Sequence, residues 1–226
     1  MSENGPVISI RDLHKIYRMG EVDVAALRGV NLDVERGEFV AVVGPSGSGK
    51  STMFHIVGGL TPPTSGEVYV HGRNLADMTE VERTRMRRTE VGFVFQKYNL
   101  LPTLTARDNI AIARHIAGKP LELDDGFREV LDLLGIGHRL DHKPSAMSGG
   151  EQQRVAIARA IVNHPSILLA DEPTGNLDTK TSEAVLSILR GLNERLGQTI
   201  LMITHNPDAA AVADRIVHMR DGRIVP

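Results

Sequence analysis

The stretch Gly44-Pro45-Ser46-Gly47-Ser48-Gly49-Lys50-Ser51-Thr52 decides how the rest of the chain is read. It fits the phosphate-binding pattern G-x-x-x-x-G-K-[S/T] in full. Before it, Phe39-Val40-Ala41-Val42-Val43 is a continuous apolar run, as expected of a strand buried on both faces of a parallel sheet. After it, the residues from Lys50 to about Gly58 read as a helix. A strand, a glycine loop and a helix in that order aim several backbone N–H groups at one point, where the positive end of the helix dipole also sits. Gly44, Gly47 and Gly49 let the backbone close around phosphate oxygens with no Cβ in the way. Lys50 can then reach the β- and γ-phosphates, and the Ser51 hydroxyl can ligate Mg²⁺. The bland alternative is a glycine-rich turn that merely links two elements. The full pattern in this context points instead to a nucleoside-triphosphate site.

At 226 residues the chain has ample length for a hydrophobic core. Lys+Arg 26 against Asp+Glu 28 leaves a net charge of −2, which gives no general case for nucleic-acid binding. With no cysteine, a disulfide framework and a thiolate metal site are excluded. Met1-Ser2-Glu3-Asn4-Gly5-Pro6 is polar and acidic, so no signal peptide is expected at the start. The apolar runs fall far short of the ~20 residues that span a bilayer, so any membrane role is expected to come through a partner.

The first forty residues read as short antiparallel strands: Val7–Ile10, His14–Arg18, Val24–Leu27 and Val30–Val34, with turns at Met19-Gly20 and Arg36-Gly37. Beyond the loop helix, Glu67–Val70 is a strand, and Thr79 to Arg88 a helix opened by a Thr79/Glu82 capping box. Val91–Phe95 is a buried strand ending at Gln96. A mostly helical third follows: about Ala106 to Ala117, about Asp125 to Leu134, and a helix capped by Ser148-Gly149-Gly150-Glu151 that runs to about Val162. Ile167–Ala170 and Thr199–Ile203 are strands on either side of a helix from about Thr179 to Leu196, closed by Gly197. Arg215–Met219 and Arg223–Val225 form a hairpin turned at Asp221-Gly222. Strands alternating with helices around a phosphate loop predict an α/β core with a mainly parallel sheet, carrying an N-terminal antiparallel β lobe and a helical lobe.

Asp171 and Glu172 follow the apolar strand Ile167-Leu168-Leu169-Ala170 directly. A strand that delivers Asp171 at its C-terminal edge puts a carboxylate beside Mg²⁺. Glu172 then lies where a general base could deprotonate an attacking water. The same pair also suits a solvated Asp-Glu turn. Ser148, as N-cap with Glu151 three residues on, is a capping box, and the two glycines between leave the first N–H groups open to an anion. That makes a second phosphate-binding point far along the chain from the first.

These residues, taken in order, resemble the ATP-binding-cassette (ABC) ATPases, the nucleotide-hydrolysing subunits of ABC transporters. Ser148-Gly149-Gly150-Glu151-Gln152 is similar to that family's signature and precedes the Asp171 strand as the family requires. Gln96 resembles the family's Q-loop residue, His205 its switch histidine, Gly175-Asn176-Leu177-Asp178 its D-loop, and Tyr17 sits where the family stacks an aromatic on adenine. The resemblance covers essentially the whole chain. It implies a single ABC ATP-binding domain over residues 1–226, with a helical lobe at roughly 97–150 inserted in the core, and ATP and Mg²⁺ as ligands.

By the same resemblance, Gln96 touches Mg²⁺ and the attacking water, and His205 contacts the γ-phosphate and the catalytic carboxylate. Two copies pair head-to-tail, so that each Ser148–Glu151 signature closes on the phosphate held by the other copy, and the Asp178 loop crosses their interface. On the residues alone, Tyr17 serves equally as a strand aromatic, His205 as a capped loop residue, and Asp178 as a helix N-cap. Met147 departs from the family, which has Leu before the signature serine; the swap is near in volume and costs under ~1.5 kcal/mol.

The stretch Glu90–Thr105, together with Gly175-Asn176-Leu177-Asp178, is similar to the subgroup that includes macrolide-export and lipoprotein-release ATPases. It implies an integral membrane permease partner, a position on the inner face of the plasma membrane through that partner, and no nucleic-acid ligand. The alternative class is a soluble cassette of DNA repair or translation. Arg83, Arg85, Arg87 and Arg88 form a basic cluster, read either as a solvated helix face or as a contact for lipid head groups or an acidic partner loop.

Overall fold

The computed structural model describes residues 5–120 and 125–226; the polar start Met1–Asn4, read above as no signal peptide, lies outside them. The chain opens with a long hairpin, β1 (Ile8–Met19) and β2 (Val22–Val34). It continues through β3 (Phe39–Val43), α1 (Lys50–Val57), β4 (Ser65–Val70), β5 (Arg73–Asn74), α2 (Glu80–Thr89) and β6 (Val91–Phe95). Then come α3 (Ala106–Ile116), α4 (Asp125–Leu134) and α5 (Gly149–Ile161), followed by β7 (Ile167–Asp171), α6 (Thr179–Leu196), β8 (Thr199–Thr204) and α7 (Pro207–Ala210). The hairpin of β9 (Arg215–Arg220) and β10 (Arg223–Val225) follows.

Two sheets result. One is antiparallel, in the order β2-β1-β4-β5; the other is six-stranded, in the order β10-β9-β3-β8-β7-β6. In the second, β3, β6, β7, β8 and β9 run parallel and only β10 is reversed. The continuous apolar runs follow from burial on both faces. Phe39, Ala41, Leu168, Ala170, Ile200 and Met202 enter the core beneath α3 to α6. Their neighbours Val40, Val42, Ile167, Leu169, Leu201 and Ile203 enter the core shared with α1 and the antiparallel sheet. Parallel strands emerge at one edge, so the loops after β3, β6, β7 and β8 are gathered there by topology alone.

The four short strands expected at the start are two long ones. Arg11-Asp12 looks like a break in the sequence but is a bulge: the ladder shifts between Ile10 and Leu13, and Asp12 takes a left-handed φ of 44°. Opposite it, Gly29 has φ 79° and Asn31 Oδ1 accepts from the Asp12 N–H at 2.9 Å. The irregularity is matched on both strands, so the ladder continues through it.

The capping chemistry read from the sequence is present. Both halves of the Thr79/Glu82 and Ser148/Glu151 boxes form, Asp178 caps α6, and Gly197 ends it at φ 63°. Each such cap is worth ~1 kcal/mol. The arginines of α2 are mostly engaged within the chain. Arg83 and Arg87 pair with Glu80 and donate to the carbonyls of Met78 and Gly59, and Arg88 donates to Ile116 O. Arg85 is the exposed remainder of that cluster.

Candidate functional site

The loop after β3 lines a cavity of about 700 Å³, together with Tyr17, Ala26, Glu172 and His205. Pro45, Ser46 and Gly47 are exposed at its rim, while Ser48 and Lys50 are buried. Lys50 Nζ donates to Gly44 O at 2.7 Å and Pro45 O at 2.9 Å, and lies 3.4 Å from Ser48 Oγ. Burial pushes the Lys50 ammonium below its usual range, against the pull of Glu172 and Asp171. A buried cation held by neutral oxygens is a ready partner for an anion.

The loop is set from behind. A Cβ at Gly44 would lie 2.1 Å from Met219 O, and one at Gly49, which has φ 100°, 2.5 Å from Ala26 O. Gly222 N–H donates to Ser48 O at 3.0 Å, and Arg28 N–H to Gly222 O at 2.8 Å. The β9–β10 turn and β2 therefore fix the curve of the phosphate loop. The sequence gives no local sign of this, since the partners are far apart in the chain.

At the end of β7, burial pushes the Asp171 carboxyl up, with the nearby Glu172 charge adding to it. Glu172 adopts φ 47°, a strained conformation for a residue with a Cβ. Its side chain is held from β8: His205 Nδ1 lies 2.8 Å from Oε1, and Thr204 Oγ1 donates to Oε2 at 3.1 Å. The Glu172 side chain is 17% exposed and that of His205 67% exposed, and both line the cavity. Thr204 is a site residue that sequence reasoning missed. It reads as the last residue of a strand, and only the pairing of β7 with β8 brings it to Glu172.

The donors expected for magnesium are a hydroxyl (Ser51), a carboxylate (Asp171) and an amide (Gln96). Hard oxygen donors of this kind, few in number and completed by phosphate and water, are what Mg²⁺ takes. A desolvated carboxylate that gains from a nearby cation fits as well. Gln96 Nε2 donates to Asn176 Oδ1 at 3.2 Å, so the oxygen of its side-chain amide is the end suited to a cation. Asn176 Nδ2 in turn donates to Gln96 O at 2.9 Å, so the loops after β6 and β7 are tied.

Ser148, Gly149, Gly150 and Glu151 do not line this cavity. They open α5 beside Tyr98 and the start of α6, where a Cβ on Gly149 would meet Tyr98 Oη at 2.7 Å and one on Gly150 would meet Thr181 Cγ2 at 2.3 Å. Glu151 is held by Arg139 at 2.7 Å and by the Ser148 N–H at 2.8 Å. Asp178 Oδ1 and Oδ2 accept from Thr181 N and Oγ1 at 3.0 and 2.8 Å. Asp178 and the signature thus share one surface, apart from the phosphate loop. Between the two regions, fully buried Gln153 donates to Pro173 O at 2.6 Å. Tyr17 edges the cavity at 37% exposure.

A phosphate loop, an acidic strand end and a braced glutamate on one edge of a parallel sheet define a nucleoside-triphosphatase cassette. A family model described as "ABC transporter" matches residues 27–175. The chain is 50% identical to an ABC transporter ATP-binding protein of Thermotoga maritima, over 96% of this chain and 93% of the other. It is 48% identical to a lipoprotein-releasing system ATP-binding protein of Caulobacter vibrioides, over 97% and 96%. It is also 48% identical to a macrolide export ATP-binding/permease protein of Syntrophobacter fumaroxidans; there it covers 97% of itself but only 31% of the relative.

Among solved structures, an ATP-binding cassette of Methanocaldococcus jannaschii, a dimer in a post-hydrolysis state bound to ADP and Pi, superposes with a TM-score of 0.86 at 42% identity. That likeness covers 97% of both chains. The chain belongs to the ABC transporter family and is one of its ATPase cassettes. These relatives give no support to the alternative class of a soluble cassette in DNA repair or translation.

Proposed function

We propose that this chain binds ATP with Mg²⁺ at the cavity edge, hydrolyses it, and so drives a separate membrane permease of the macrolide-export or lipoprotein-release type. The observation that supports it best is the convergence of Lys50, Ser51, Glu172 and His205 on one cavity bounded by Tyr17. In this reading Tyr17 stacks on adenine, and residues Gly44 to Thr52 hold the phosphates. Lys50 leaves the loop carbonyls for the β- and γ-phosphates. Ser51, Asp171 and Gln96 hold magnesium, which when bound neutralises charge on the phosphate oxygens.

Glu172 accepts a proton from the attacking water, and Thr204 keeps the carboxylate aimed while it does so. His205 then exchanges its contact with Glu172 for one with the γ-phosphate. Because Ser148–Glu151 and Asp178 stand apart from the cavity, they serve the site of a second copy paired head-to-tail. The chain is a single ABC domain with the helical lobe at roughly 97–150. Among the described residues no helix is long and apolar enough to cross a membrane, so the chain would sit on the inner face of the membrane through its permease.

Purification from gently solubilised membranes tests the reading. A multi-span subunit should copurify with the chain, and phosphate release should need Mg²⁺ and stop in EDTA. Full hydrolysis in EDTA would remove the magnesium role, and a chain recovered from membranes without such a subunit would remove the permease.

A further inference from the structure

Lys15 and Thr64 adjoin Tyr17 and take no part in the site described so far. Lys15 precedes Tyr17 by two residues on β1 and so shares its face of the strand. Its Nζ sits 5.0 Å from the centroid of the Tyr17 ring and donates to Pro62 O at 2.8 Å. Lys15 is half-buried and does not line the cavity that Tyr17 lines. The ammonium thus lies over the ring without forming part of the cavity wall.

The backbone around this pair is irregular. β1 leaves its ladder with β4 after the His14–Ser65 pair, and its register with β2 shifts between Lys15 and Ile16. Thr64 takes over the lost pairing: its N–H donates to His14 O at 2.9 Å, and its Oγ1 accepts from Ile16 N–H at 2.9 Å. Tyr17 thus lies past the end of the β1–β4 ladder, paired only with Val24 of β2, and its ring is exposed. Its direct tether is a cation anchored to the segment that follows α1, the helix of the phosphate loop.

We propose that Lys15 is a positioning residue for the nucleobase: tethered to Pro62, its ammonium holds the Tyr17 ring and leaves the opposite face to a purine. The proposal rests on the reading of Tyr17 as the base platform. An ammonium over an aromatic face is attracted by the ring quadrupole. A ring already held by that contact loses less freedom when the base arrives, and the saving appears as affinity. The Pro62–Thr64 segment then braces base platform and phosphate loop against one piece of backbone.

The test compares Lys15→Met, Lys15→Arg, Tyr17→Ala and the Lys15→Met/Tyr17→Ala double variant. It uses steady-state ATP hydrolysis and calorimetric binding of tripolyphosphate, which has no base. Lys15→Met should raise KM for ATP about two- to fivefold, the scale of an exposed cation–π contact. Its kcat should stay within about twofold of the parent, since only ground-state binding is removed, and its tripolyphosphate affinity should not change. Lys15→Arg should restore KM, because a guanidinium also stacks on aromatic faces. In the Tyr17→Ala background, Lys15→Met should add nothing.

A parental KM in Lys15→Met, where Tyr17→Ala raises it, overturns the proposal. So does a matching loss of tripolyphosphate affinity, which would make Lys15 a phosphate-attracting charge. If Tyr17→Ala itself leaves KM unchanged, the base-platform reading falls and the proposal falls with it.

Discussion

Glu172→Gln separates binding from chemistry at this site. In the parent, Thr204 Oγ1 donates to one carboxylate oxygen at 3.1 Å and His205 Nδ1 lies 2.8 Å from the other. A glutamine can keep its oxygen toward Thr204 and turn its NH₂ to His205, which accepts in the other neutral tautomer. The φ of 47° is a backbone property that the substitution leaves alone. Folding should therefore change by ~1 kcal/mol or less. The amide cannot take a proton, and losing a positioned base costs ~10²–10⁴-fold in rate. That is ~3–5 kcal/mol of barrier. The assay is phosphate release at saturating MgATP, beside ATP binding and size-exclusion chromatography. Binding should persist while release falls by that factor. A stable dimer should appear only with ATP, and adding Ser148→Arg should abolish it. Hydrolysis at the parental rate would refute the assignment of the base. A variant that binds ATP yet stays monomeric would refute head-to-tail closure by this chain alone.

Gly44→Ala would force a Cβ against Met219 O, a backbone atom that cannot swing aside. A cost of ~1–3 kcal/mol, or a fall of roughly 2–12 °C in Tm, is expected together with loss of ATP binding; an unchanged Tm would contradict it. For Asp171, burial raises the folded pKa above the unfolded value. The folded protein then keeps a proton that the unfolded chain has released, so stability falls as pH rises through that window and stays lower above it. Asp171→Asn should raise Tm of the nucleotide-free protein at pH 7 and leave it unchanged at acid pH below both values, which thermal melts across pH can check. Gln153→Leu orphans Pro173 O and should cost ~1–3 kcal/mol in urea denaturation. It should also lower kcat, because Pro173 adjoins Glu172.

What the sequence made legible was local. The strand–loop–helix order and the caps at Thr79, Ser148, Asp178 and Gly197 each depend on a few neighbouring residues, and each formed where read. Positions fixed by distant partners were not legible. Arg11-Asp12 reads as a break because its match, Gly29 and Asn31, lies on the other strand. Thr204 and Gln153 look like an ordinary strand end and an ordinary helix residue until strand pairing sets the first against Glu172 and helix packing the second against Pro173. The α2 arginines read as a solvated face or an outward contact because the carbonyls of Gly59 and Ile116 that they reach come from other elements.

The backing of the phosphate loop by Met219 and Gly222 has a consequence for biosynthesis. The ribosome makes the whole Gly44–Thr52 motif early, yet the carbonyl and N–H that hold its curve emerge only after most of the chain. At ~5–20 residues per second the interval is roughly ten to thirty-five seconds. Throughout it, the nascent chain carries the complete motif without the scaffold that shapes it. Contacts of such long sequence separation also carry a loop-closure cost that slows folding. The loop most recognisable in the sequence therefore takes its curve from residues synthesised long after it.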